Sequence, residues 1–158
     1  MKVVILAGGR GTRIREVSND KPKPMVEIDG RPIIWHIMAS YARFGLKDFI
    51  VCLGYKGHMI ADYFMNYRVR NSDIIVDLGS EKVSFVNPCE EDWKITLVQT
   101  GLNTMTGGRI KRIAQYLDND DFCLTYGDAL SDVDISLLIE HHKSSGAKAS
   151  LSLIHIWR

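Results

Sequence analysis

Val3-Val4-Ile5-Leu6-Ala7-Gly8-Gly9-Arg10-Gly11-Thr12-Arg13 is the stretch on which the fold turns. Four apolar residues rich in β-branching run without interruption, as in a strand covered on both faces of a parallel sheet. The run stops at glycines, so a strand gives way to a glycine loop. It is too short for the core of a secretory signal peptide. Working outward, Lys21-Pro22-Lys23-Pro24 is turn-prone, and Ile33, Ile34, Ile37, Met38, Tyr41 and Phe44 recur at helical spacing until Gly45. Asp48 to Leu53 is the next buried strand. Met59, Ile60, Tyr63, Phe64 and Tyr67 make a second helical stripe. Ile74–Leu78 and Val83–Asn87 flank Gly79-Ser80-Glu81-Lys82 as a hairpin, and Ile95 and Leu97 alternate with polar neighbours as a short strand. Ile110, Ile113, Ala114 and Leu117 form a third helix entered through Thr106-Gly107-Gly108. Phe122 to Tyr126 reads as a buried strand, and Asp134 caps a helix from Ile135 to Ser145.

Strands alternating with helices predict a three-layer α/β/α, Rossmann-like domain around a mixed, mostly parallel sheet. The nucleotide-binding portion is expected over residues 1–150. A further strand is due after Lys148, and residues 151–158 read as a non-native tail or a truncated strand. With 158 residues and 46% hydrophobic content, the chain can bury a sizeable core without disulfides or structural metal. Its 20 basic and 19 acidic side chains leave a net charge of +1, which excludes a dedicated nucleic-acid binder. Cys52, Cys89 and Cys123 fit no zinc or CxxC spacing and read as reduced thiols of a cytoplasmic protein outside any membrane. His58, His141 and His142 have no ligand-spaced partners and read as surface or helix residues, whereas Trp35 and the Met and Tyr stripes are core candidates.

Chemistry is expected where parallel strands end, which puts Leu6 to Arg13 first. Gly8, Gly9 and Gly11 let backbone N–H groups approach an anion. Between positions 10 and 23, Arg10, Arg13, Arg15, Lys21 and Lys23 outnumber Glu16 and Asp20 by three charges. A dinucleotide fingerprint starting at Gly9 fails at Ile14, and no GxxxxGK[ST] occurs. On residues alone, a tight turn with a solvated basic face explains this loop as well as a phosphate cradle does. On the same basis Asp128 reads better as an Asp in a turn after a strand than as a magnesium ligand, whereas Arg109 reads about equally as solvated at a helix start or turned toward a ligand.

The combination of Leu6-Ala7-Gly8-Gly9-Arg10-Gly11-Thr12-Arg13 with Lys21-Pro22-Lys23-Pro24-Met25 resembles the signature of the sugar-1-phosphate nucleotidyltransferases. Tyr55-Lys56-Gly57, Asp92-Trp93, Thr100-Gly101, Met105-Thr106-Gly107-Gly108-Arg109 and Tyr126-Gly127-Asp128 are similar to the glucose-1-phosphate cytidylyltransferases of that superfamily. The resemblance runs from Met1 to about Ser150. It implies transfer of a cytidylyl group from CTP to glucose 1-phosphate, giving CDP-glucose and pyrophosphate for bacterial surface-polysaccharide sugars, in a homo-oligomer using Mg²⁺. Carried over by motif, Leu6, Ala7, Gly8, Gly9, Arg10, Gly11 and Thr12 wrap the nucleotide, Arg13 grips its triphosphate and Lys23 stabilises the α-phosphate. Thr104 and Arg109 contact the nucleotide, and Asp128 ligates magnesium. The second metal aspartate and the sugar-phosphate lysine motif of the relatives have no counterpart here, which implies a piece without efficient turnover. Other nucleotide specificities, a choline-phosphate-type cytidylyltransferase or a non-catalytic nucleotide-binding remnant are the alternatives. Ala129 departs from the glycine common in the relatives, harmless if its φ is negative.

Overall fold

The computed structural model describes residues 1–9, 21–87 and 90–152. Arg10, Gly11, Thr12, Arg13, Cys89 and residues 153–158 therefore lie outside the described residues.

Strand β1 (Lys2–Ala7) is followed by a 3₁₀ turn (Lys23–Met25), a ribbon of β2 (Glu27–Ile28) and β3 (Arg31–Pro32), and helix α1 (Ile33–Ala42). Then come β4 (Asp48–Leu53), helices α2 (Gly57–Met65) and α3 (Tyr67–Asn71), the hairpin β5 (Ile74–Asp77) and β6 (Lys82–Phe85), and β7 (Lys94–Gln99). Helix α4 (Thr106–Ile113), β8 (Phe122–Tyr126) and α5 (Ile135–Ser145) complete the order.

The central sheet runs β7-β4-β1-β8 with every pair parallel. Alternation of side chains divides the core in two. Val3, Ile5, Phe49, Val51 and Leu53 pack with Ile34, Ile37 and Met38 of α1 and Ile60 of α2 on one face. Val4, Leu6, Ile50 and Cys52 meet, on the other, Ile113 at the end of α4 and Leu117 just past the 3₁₀ turn (Ala114–Tyr116) that follows it. Burying each large apolar side chain stabilises the fold by roughly 1.5–3 kcal/mol. Helices on both faces of a parallel sheet give the expected three-layer Rossmann-like architecture; antiparallel pairing is confined to the two small ribbons.

The chain steps outward from β1 to β4 to β7 and then reverses to β8, so the order switches direction between β1 and β8. All four carboxyl ends lie along one rim, and a crevice forms at such a reversal.

Three expectations need correction. The stripe Met59–Tyr67 is not one helix, because Asn66 interrupts it, its Nδ2 donating to the carbonyl of Asp62 at 2.8 Å. Strand β8 is not buried: among the described residues it pairs with β1 alone, and Leu124 and Tyr126 are 42% and 58% exposed. Residues 147–152 form no strand, and most of the stretch where a further strand is expected, 153–158, lies outside the described residues. Trp35 is only half-buried, because its indole nitrogen must reach polar partners, the Tyr67 hydroxyl at 2.8 Å and the Glu91 carboxylate at 3.2 Å. The Asp134 cap is present, its carboxylate accepting from the Leu137 amide at 3.1 Å. Ala129 is not among the residues with positive φ, so its methyl carries no backbone strain. Among the described residues no helix is long and apolar enough to cross a membrane.

Candidate active site

Every sequence-predicted site residue among the described ones lines a single cavity of about 210 Å³ at the β1/β8 switch: Leu6, Ala7, Gly8, Gly9, Lys23, Thr104, Arg109 and Asp128. Pro24, Met105, Thr106 and Tyr126 complete its wall. A larger hollow of about 440 Å³ opens beside the β2–β3 ribbon, but it holds neither the glycines nor Asp128.

Lys23 stands on the 3₁₀ turn, with the ring of Pro22 before it and that of Pro24 after it fixing the local backbone. Its ammonium lies 3.4 Å from Oδ2 of Asp128, just past β8. Both side chains are partly exposed, so the pair is weak and open to exchange with a ligand. Gly127 brings this turn against β1, donating its amide to the Leu6 carbonyl at 3.0 Å.

Arg109 is not solvated at the helix start: it lines the cavity while its guanidinium is buried. Its side chain is 6% exposed, and its guanidinium runs beneath the glycine loop. Nη2 donates to the Gly8 carbonyl at 3.1 Å, and Nη1 donates to the Leu53 carbonyl at 3.0 Å and to Thr100 Oγ1 at 2.6 Å. One cation thus ties together the ends of β1, β4 and β7. Among the described residues it has no carboxylate partner, and burial pushes its pKa down. The neighbouring Cys52 thiol is pushed up to about 11 by burial, so it supplies no counter-charge at neutral pH.

Sequence reasoning missed Gly54 and Thr100. The Gly8 carbonyl also accepts from the Tyr55 amide at 3.2 Å, which draws the turn after β4 against the loop after β1. A Cβ on Gly54 would stand 2.6 Å from the Gly8 oxygen and 2.7 Å from its Cα, contacts that backbone cannot relieve. Gly54→Ala should therefore destabilise the chain by about 1–3 kcal/mol, read as a drop of several degrees in Tm. Gly9 is the contrast: nothing lies within 4 Å of a Cβ built there. Gly9→Ala should leave Tm unchanged, and any loss it causes should be in nucleotide affinity.

Among the described residues no three His, Cys, Asp or Glu side chains converge. Asp128 is the carboxylate that the cavity offers. A lone carboxylate suits magnesium, which keeps several waters and takes substrate phosphate oxygens as further ligands.

A glycine cradle, a lysine and a single carboxylate at the switch point describe a site for a phosphorylated ligand, and comparison with known proteins gives it a family. The sequence pattern of the nucleotidyl transferase family matches residues 2–158. The chain belongs to that family. It is 50% identical over 153 residues to glucose-1-phosphate cytidylyltransferase of Salmonella typhimurium, covering 96% of this chain and 60% of the relative. It is 43% identical over 152 residues to the probable glucose-1-phosphate cytidylyltransferase of Bacillus subtilis, covering 96% and 59%. Among solved structures, HddC from Yersinia pseudotuberculosis complexed with GMP-PN superposes with a TM-score of 0.62 at 32% identity, over 89% of this chain and 53% of that one. This nucleotidyl transferase chain thus spans about 60% of the length of the curated relatives it matches.

Proposed function

We propose that the chain forms the nucleotide-holding part of an enzyme that transfers a cytidylyl group from CTP to glucose 1-phosphate, giving CDP-glucose and pyrophosphate. The observation that carries this reading is the Lys23–Asp128 pair, 3.4 Å apart in a cavity walled by the backbone of Gly8 and Gly9. The 50% identity to a glucose-1-phosphate cytidylyltransferase supports the choice of CTP and of the sugar phosphate.

The chemistry asks little beyond alignment and charge neutralisation. An oxygen of the sugar phosphate forms a bond to the α-phosphorus in line. The bond to the bridging oxygen breaks, and pyrophosphate leaves with the electron pair. Leu6, Ala7, Gly8 and Gly9 bind the nucleotide, and Lys23 aims its ammonium at the α-phosphate as charge builds there. Arg13, by its place in the signature, grips the triphosphate. Asp128 would hold Mg²⁺ together with phosphate oxygens, and the ion supplies Lewis-acid neutralisation of the triphosphate when bound. As a cytoplasmic homo-oligomer, the enzyme would supply activated glucose for bacterial surface polysaccharide.

Titration calorimetry of the purified chain with Mg²⁺ and CTP, UTP, dTTP or GTP tests the reading. CTP should bind most tightly. Equal affinities would overturn the cytosine assignment, and tightest binding of GTP would favour a guanylyl-transferring enzyme, which the likeness to HddC with its GMP-PN makes the second reading. No heat from any nucleotide at millimolar concentration would end the nucleotide reading itself.

A further inference from the structure

Arg112 lies one turn beyond Arg109 on α4, a spacing that turns both guanidiniums to the same side of the helix. Both converge on Thr100. Arg109 donates to its hydroxyl, and Arg112 Nη1 donates to its carbonyl. The same Nη1 donates to Thr104 Oγ1 at 2.9 Å. Thr104 is clamped from its other side as well: a Cβ on Gly108 would stand 2.8 Å from the Thr104 methyl, so the helix backbone lies directly against it. The turn that allows this is made at Gly101, with φ of +90°, where a Cβ would stand 2.5 Å from Arg112 Nη1 and 2.8 Å from Thr104 Oγ1.

The polarity of this arrangement matters more than its rigidity. A guanidinium can only donate. The Thr104 oxygen therefore accepts from Arg112, and its own hydrogen is left to donate into the cavity that Thr104 lines.

We propose that Arg112 is a positioning residue for base selection: it fixes the Thr104 hydroxyl as a donor, matched to a base edge whose ring nitrogen accepts. Cytosine N3 accepts a hydrogen bond, whereas uracil carries a hydrogen at that position. The inference rests on the nucleotide reading above and goes further, because it assigns discrimination to a side chain that need not touch the ligand. Arg112 is exposed, so its replacement should leave the fold intact.

The test is the ratio of Kd values for CTP and UTP, each with Mg²⁺, measured by calorimetry on the unmodified chain and on Arg112→Ala, Arg112→Lys, Thr104→Val and the Arg112→Ala/Thr104→Val double variant. Arg112→Ala should cut the preference for CTP by about tenfold, the scale of one charge-assisted hydrogen bond, at unchanged Tm. Arg112→Lys, which can still donate, should restore part of it. On the Thr104→Val background the Arg112→Ala change should have no further effect on the ratio. Equal weakening of both nucleotides, or an Arg112 effect that persists in full without the hydroxyl, would overturn the proposal while leaving the nucleotide reading intact. A chain that binds neither nucleotide would overturn both.

Discussion

In an enzyme of the relatives' full length, Lys23→Ala should lower the rate of the proposed cytidylyl transfer by about 10²–10³-fold, with a far smaller change in CTP affinity. The expectation follows from where the ammonium is held and what holds it. The prolines on either side of Lys23 fix the turn, so its Cα is placed before any ligand arrives. Among the described residues its ion-pair partner is Asp128, at 3.4 Å with both side chains partly exposed, an arrangement that a phosphate oxygen can replace at small cost. On the proposed reading the triphosphate would also have the amides of Gly8 and Gly9 and other basic residues of the signature as partners, so losing one lysine should change affinity modestly. During attack, charge accumulates at the α-phosphate, and a pre-placed cation there needs no reorganisation. Steady-state kinetics with CTP, glucose 1-phosphate and Mg²⁺ would separate kcat from KM. Parallel losses in turnover and affinity would assign Lys23 to ground-state binding.

How much of this was legible in the sequence depends on how local each determinant is. Val3–Ala7 and Asp48–Leu53 were readable because β1 and β4 are the two interior strands, buried on both faces, and such strands need continuous apolar runs. Phe122–Tyr126 has much the same composition, yet β8 is an edge strand, and strand order is not written in a five-residue window. The β2–β3 ribbon escaped notice because two-residue strands show no periodicity, although Asp29-Gly30, both at positive φ, is a strong two-residue hairpin signal. At the site, residue types and motif order were enough to collect Gly8, Gly9, Lys23, Thr104 and Asp128 around one cavity. The partners of Arg109 were not legible. Gly8, Leu53 and Thr100 meet it only because three parallel strands end side by side, with Gly8 lying 101 residues away in sequence. A glycine directly after the β4 run was the one clue, and it becomes meaningful only once the Gly8 carbonyl is seen packed against it.

That buried arginine carries the second large effect, and two substitutions separate its parts. Arg109→Ala removes the guanidinium and most of the side-chain volume beneath the loop, which should lower Tm by roughly 5–10 °C. Arg109→Met keeps an unbranched apolar stem and removes only the charge. The carbonyls it abandons are not orphaned: Gly8 O still accepts from the Tyr55 amide, and Leu53 O from the amide and hydroxyl of Thr100. A cation with no carboxylate beside it among the described residues is itself costly to bury, so its loss relieves desolvation. Arg109→Met should therefore unfold within a few degrees of the unmodified chain. Nucleotide binding should not follow stability, with affinity for Mg²⁺–CTP falling by about 30- to 1000-fold in both variants. The reason is that Arg109 has no carboxylate beside it among the described residues, so a triphosphate over Gly8 and Gly9 would serve as its counter-charge, and the guanidinium beneath holds the Gly8 peptide in register with it. Thermal unfolding alongside calorimetry decides the matter. A methionine variant that binds CTP as tightly as the parent would reduce Arg109 to a strut between strands, and one that neither folds nor binds would place its weight in stability alone.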